Sequence, residues 1–376
     1  MLPDRRHVLT LALAALAATA SAADPLVFVT AFAPGEQGGI HAYTFDSKEG
    51  TLKSLHRTGG VENPFFIALS PDRRFLYSID AKQFGGKENE HVAAFELVGR
   101  TGELKLLNRQ SSMGTASCYL MADQTGKTLV VANYSSGSVA SLPIKADGSL
   151  GEHASFFQHK GSSVNPDRQK EPHAHCIVVS PENKYAFACD LGMDQILCYQ
   201  LDPPAAKLTP NKTPFAKAPA GAGPRHLTFH PNGKRAYVIN ELANSVTMFD
   251  YDAAGGTLTE QQTTSTLPSN FKGTSHCADV KITPDGKFLY GTNRGHDSIA
   301  CYKITADGRL VRTGIVPSGG KGPQNLAITP DGQWLLCANM PGNNIAVFQI
   351  DPKTGRLKAT GEPVKQTGPS CIMLVP

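Results

Sequence analysis

The stretch TPDGKFLYGTN (283–293) recurs in this chain with small changes: SPDRRFLYSID (70–80), SPENKYAFACD (180–190), HPNGKRAYVIN (230–240) and TPDGQWLLCAN (329–339). A looser copy, ADQTGKTLVVAN, occupies 122–133. Each copy is a short apolar strand, a Pro-Asp-Gly type turn and a second apolar strand. A third, alternating strand follows, as in SVTMFDYD (245–252), SIACYKIT (298–305) and NIAVFQID (344–351). The turn markers Pro71, Gln124, Pro181, Pro231, Pro284 and Pro330 return about every 50 residues, the length of a β-propeller blade. Little amphipathic helical pattern exists after residue 24, which argues against a helical solenoid or a βαβ fold.

The ends of the chain complete the count. The segment LVFVTAF…HAYTFD (26–46) begins in mid-unit, and the terminal GPSCIMLVP (368–376) aligns with GPQNLAITP (322–330). The last segment therefore reads as the missing first strand of the N-terminal unit. The expected fold is all-β, a seven-bladed propeller whose ring closes by pairing the two chain ends in one sheet, which removes an exposed sheet edge. Residues 23–376 are expected to form this one domain.

The first residues, MLPDRRHVLTLALAALAATASA (1–22), have a basic start, a short apolar run and a small-residue end. They read as a cleaved export signal, too short to span a bilayer. Arg5-Arg6 suggests the twin-arginine route, with ordinary secretion as the alternative. The mature protein is expected to be periplasmic or secreted. A net charge of +4, spread without basic blocks, gives no indication of nucleic-acid or membrane binding. Eight cysteines show no CxxC or zinc spacing. They read as buried structural thiols, with Cys189 and Cys198 the first pair to check for a disulfide.

In a propeller the start of each first strand and the end of each second strand lie on one face. Six residues before the turn marker stand Phe65, Cys118, His175, Arg225, Ala278, Gln324 and Ser370; ten after it stand Ala81, Tyr134, Leu191, Glu241, Arg294 and Met340. Most are neutral or small. His175, Arg225, Glu241 and Arg294 are not, and they come from three neighbouring blades, so one channel mouth should gather them. His173, His226, His276, Asp279, Asn293, His296 and Gln324 are nearby candidates for substrate binding or for support of the four.

Two arginines can hold an anion or polarise a carbonyl, and an adjacent Glu or His can take a proton from water. No Gly-Xaa-Ser-Xaa-Gly elbow and no HExxH signature occurs; no metal or cofactor is expected. Opening of a lactone by activated water, with Arg stabilising the oxyanion, fits this inventory best. As both Glu241 and Arg294 sit at strand ends, their substitution should cost little stability.

Several segments, among them EPHAHCIVVSPENKYAF (171–187), GAGPRHLTFHPNGKRAYVINELANSV (221–246) and CADVKITPDGKFLYGTNRGHDSIACYKI (277–304), resemble the seven-bladed propeller lactonase family. That family contains the propeller-type 6-phosphogluconolactonases and the carboxymuconate cyclases. The resemblance implies a channel-mouth active site in which His175, Arg225, Glu241 and Arg294 match the residues proposed to act. Glu241 or His175 would be the general base or acid, while Arg225 and Arg294 would hold the substrate anion or its carbonyl oxygen. The chain departs from the family at Tyr119, where members often carry histidine, and in the long polar loop QHKGSSVNPDRQKE (158–171). The export signal points to a small sugar or aldonic lactone, or another small carboxylated lactone, as substrate. A muconate-type lactonizing isomerase and a noncatalytic ligand- or partner-binding propeller are the alternatives.

Overall fold

A computed structural model describes residues 24–376; the export signal expected at 1–22 lies outside the described residues. Seven four-stranded antiparallel sheets form the ring. The first blade takes its innermost strand, Pro369–Val375, from the C-terminus, and then runs outward through Leu26–Ala31, Gly39–Asp46 and Thr51–Thr58. The innermost strands of blades two to seven are Ile67–Leu69, Ser117–Ala122, Ala174–Val179, Pro224–Phe229, His276–Ile282 and Pro323–Ile328. The seven blades and the closure of the ring by both ends are as the repeat pattern predicts.

The repeated turn works through one short side chain and one unusual backbone position. Ser70 Oγ donates to Asp72 Oδ1 (2.6 Å) and accepts from Phe75 N (3.0 Å), and Thr283 and Thr329 do the same in their own blades. The residue that follows Asp, Glu or Asn in the turn adopts a positive φ. It is glycine in the copies at Gly233, Gly286 and Gly332, and Arg73 or Asn183 in two others. Glycine is favoured there because it lacks the Cβ that crowds the left-handed region.

Apolar residues of adjacent blades interlock between the sheets: Trp334, Phe45 and Val29 in one seam, Tyr237, Met248 and Leu289 in another. All eight cysteines are free and buried. Cys189 faces Ile196 and Cys198 faces Phe187 across the strand pair, so the two thiols that seemed worth checking are not bridged.

One irregularity positions the site. In six inner strands the pairing with the second strand skips a residue near the top of the channel, around Cys118, His175, Arg225, Ala278, Gln324 and Ser370. Such β-bulges release a side chain from the ladder and re-aim it. The residue six before the turn marker is therefore free to face the mouth, while the next residue faces the channel beneath it.

Candidate active site

Beneath the mouth lies a cavity of about 230 Å³, lined by Phe65, Phe84, Cys118, Tyr134, Arg168, His175, Arg225, Glu241, Arg294, Gln324 and Met340. Its walls differ in character. Blades four to six contribute the charged side, whereas Phe65, Phe84 and Met340 make an apolar side, with the Phe65 and Phe84 rings stacked at 5.0 Å.

Glu241 is the centre of the charged side. Its carboxylate is 5% exposed and meets three guanidiniums. Oε1 accepts from Arg168 Nη2 (2.8 Å); Oε2 accepts from Arg225 Nε (3.0 Å) and faces Arg294 Nη2 (2.8 Å). Burial opposes ionisation of Glu241, but the Arg294 and Arg225 guanidiniums outweigh it, with the Arg168 hydrogen bond adding to them, and hold the carboxyl well below the usual range. An ionised carboxylate with both oxygens occupied has little proton affinity. Its negative charge offsets part of the charge of the three guanidiniums around it.

His175 is the other candidate base. Burial, then the neighbouring Arg225, depresses its pKa well below the ordinary value, so the ring is neutral at pH 7. Its Nε2 lies 4.0 Å from Glu241 Oε2, and its Nδ1 lies 3.5 Å from Cys118 Sγ, which is also 3.3 Å from the His175 carbonyl oxygen. In the tautomer that carries its proton on Nδ1, the Nε2 lone pair is left on the side of Glu241.

The two expected arginines differ. Arg294 is partly exposed and bonds Cys277 O (2.9 Å) and Gln324 Oε1 (3.4 Å). Arg225 is 1% exposed, and it donates to Glu241, to Ala278 O (2.6 Å) and to His226 Nε2 (3.0 Å). Its Nε and Nη1 are thus committed to protein acceptors, while the side chain still lines the cavity. The expectation of cheap substitution at Glu241 is corrected, because this strand end is buried and its carboxylate neutralises an enclosed arginine.

Of the remaining candidates, only Gln324 lines the cavity. His226 and Asp279 lie one layer deeper, joined by Nδ1–H···Oδ1 at 2.8 Å. Asp279 also accepts from Lys281 (2.7 Å), Asn325 (2.8 Å) and Leu326 N (2.9 Å). Tyr119 belongs to the same layer, stacked on Phe66 at 4.3 Å and edge-on to His226 at 5.1 Å. The family departure at Tyr119 therefore falls in the floor under the cavity. His173 donates from Nδ1 to Tyr134 O (3.1 Å) and stacks on its ring at 4.5 Å, acting as a support. His276 offers its carbonyl oxygen to Arg294, and His296 bonds Ser298 Oγ (2.6 Å) beside Phe271. Asn293 is buried and donates to Thr266 O (3.1 Å) and Ser298 Oγ (3.1 Å), tying strands together. Among the described residues, no group of three or more His, Cys, Asp or Glu is placed to hold a metal ion.

Reading residue by residue missed Arg168. Its signal was the length of the polar loop at 158–171, which the sequence shows; which of that loop's cations turns inward is settled only by folding.

The floor carries a pH consequence. Burial, then Arg225, lowers the pKa of His226 from 6.5 to about 4. As pH falls from about 6.5, the unfolded chain takes up this proton first, so stability falls through that window until the folded value is reached. His226 contributes a slope that approaches but does not exceed one proton, about 1.4 kcal/mol per pH unit, measured as the shift in urea unfolding between pH 7 and pH 5.

Comparison with known proteins agrees with the architecture. The family model described as lactonase, 7-bladed beta-propeller, matches residues 26–374. The chain is 33% identical to the 6-phosphogluconolactonase of Bacillus subtilis over 92% of its own length and 97% of the relative's. It is 35% identical to a protein of the same name from Formosa agariphila, covering 93% and 99%. The solved structure of the periplasmic gluconolactonase of Pseudomonas aeruginosa superposes with a TM-score of 0.88 at 31% identity, covering 94% of this chain and 99% of that one. With the propeller, its ring closure and this match along nearly the whole ring, the chain belongs to the seven-bladed β-propeller lactonase family.

Proposed function

We propose that this protein hydrolyses a small sugar or aldonic lactone, or a related carboxylated lactone, in the channel-mouth cavity. The observation that carries the reading is the pairing of a neutral, buried His175 with a partly exposed Arg294 across one ionised Glu241. The names of the relatives support the same chemistry. In this reading the lactone carbonyl oxygen points at Arg294, with Gln324 beside it, and water sits against His175 Nε2. As the water oxygen bonds to the carbonyl carbon, its proton passes to Nε2 and the carbonyl electron pair becomes an oxyanion held by the guanidinium. Collapse of that intermediate breaks the ring C–O bond. The proton on Nε2 then goes to the departing ring oxygen, which yields the open hydroxy acid and restores the neutral imidazole. Glu241 stays ionised throughout, fixing the guanidiniums and favouring the transient imidazolium.

The test is hydrolysis by the purified protein in a pH-stat, on gluconolactone, 6-phosphogluconolactone and a carboxylated γ-lactone, each corrected for spontaneous opening. Enzyme-dependent excess on at least one establishes the reading; none on all three sinks it for these substrates. The pH profile checks the base. A base works unprotonated, and the pKa of His175 is lowered, so kcat/KM should hold on the acid side of neutrality and fall only below pH 6.5. A limb centred above pH 7 would exclude His175.

Export is part of the same proposal. The basic, apolar and small-residue start of the chain supports a periplasmic or secreted enzyme, as does the likeness to a periplasmic relative.

A further inference from the structure

Three guanidiniums surround one carboxylate, and two of them already face its Oε2. With His175 neutral, the site carries an excess of positive charge in a largely enclosed space, a costly arrangement unless an anion joins it. Arg225 is the least accessible of the three, its side chain 1% exposed with Nε and Nη1 bonded to protein acceptors. In the mechanism above, Arg294 faces the developing oxyanion. Arg168 remains: its side chain is 35% exposed, the most open of the three, and its Nη2 touches only Glu241 Oε1 (2.8 Å) and Tyr134 Oη (3.0 Å).

The loop that delivers Arg168 does not need that guanidinium to hold its shape. His159 Nδ1 is 2.6 Å from Asp190 Oδ2. Ser163 Oγ donates to Asp194 Oδ2 (2.5 Å), and Gln169 Nε2 donates to Asp194 Oδ1 and Leu191 O, both at 2.8 Å. Asn165 Oδ1 caps the turn by accepting from the backbone of Asp167 and Arg168 (3.0 and 3.1 Å). The segment is pinned on both sides of Arg168, and Tyr134, stacked on His173, props the guanidinium from below. A rigid loop thus presents a surplus cation to the cavity.

We propose that Arg168 is a specificity-determining residue that pairs with an anionic group carried by the substrate, a ring carboxylate or a phosphate, apart from the carbonyl that is attacked. The inference rests on the lactonase reading for its kinetic form, though not for binding. A guanidinium fork suits both oxyanions, so the test separates them. For wild type, Arg168→Ala and Arg168→Lys, kcat/KM is measured on gluconolactone, 6-phosphogluconolactone and a carboxylated γ-lactone. The ratio of the matching anionic lactone to the neutral one should fall at least tenfold in Arg168→Ala, through KM, with Arg168→Lys restoring part of it. Which anionic lactone shows the fall identifies the anion. An equal loss on all three, or no change in either ratio, overturns the proposal.

Calorimetry with cyclic ethers that lack the carbonyl gives a readout free of catalysis: 1,5-anhydroglucitol, its 6-phosphate, and tetrahydrofuran-2-carboxylate. Wild type should bind one anionic ether at least tenfold more tightly than the neutral one, and Arg168→Ala should lose that preference. If no lactone is hydrolysed yet this preference appears and is lost, the lactonase reading fails and the anion site stands. If wild type shows no preference, or the variant keeps it, the anion site is overturned whatever the hydrolysis assays show.

Discussion

Glu241→Gln should lower lactone hydrolysis about 100- to 1,000-fold and also lower the stability of the protein. The side chain keeps its size, but one acceptor oxygen becomes an NH2 that meets guanidinium donors, and the charge that balances the enclosed Arg225 disappears. Removing one partner of a buried charge pair costs about 3–5 kcal/mol. Misplacing the groups that meet an oxyanion costs about 100- to 1,000-fold in rate. The two losses are separable: thermal unfolding measures the first, and activity well below the new midpoint measures the second. Unchanged stability would show that Arg225 finds another counter-charge. Unchanged turnover would remove Glu241 from the site.

His175→Ala should lower kcat about 100- to 10,000-fold, the usual worth of a positioned general base, while KM moves much less. The truncation opens space where the ring stood, next to the existing cavity, so added imidazole should restore part of the rate. A residue that merely packed the strand would show no such rescue, because a free base cannot rebuild a fold. Activity within tenfold of wild type would assign proton transfer elsewhere, with the water-facing acceptor left to be found.

The repeat made the ring legible, and departures from the repeat made much of the site legible. His175, Arg225, Glu241 and Arg294 stood out because their counterparts in other blades are mostly neutral or small, and the structure gathers all four around one cavity. The same comparison argues against Asn293 as a substrate contact. Asn133, Asn240 and Asn339 occupy its place in three other blades and bond strand to strand in the same manner. A residue common to most blades serves the fold, and one peculiar to a blade is free to serve the site.

His226 and Asp279 were harder to place, because simple alternation does not say that a bulge turns neighbouring residues towards the same channel at different depths. Phe84 and Arg168 come from loops, whose paths no strand repeat dictates. The state of Glu241 was also beyond the sequence. In the proposed mechanism its role changes from base to charge organiser only once three guanidiniums are known to converge on it.

The irregular step repeated in six inner strands has a consequence for how such a protein changes its chemistry. A side chain released at the mouth stands outside the strand ladder, so its identity can differ from blade to blade while the backbone pairing of the sheets stays the same. Phe65, Cys118 and Gln324, at the same repeat position, line the cavity beside His175 and Arg225. The mouth can thus be altered one blade at a time without a change in strand register.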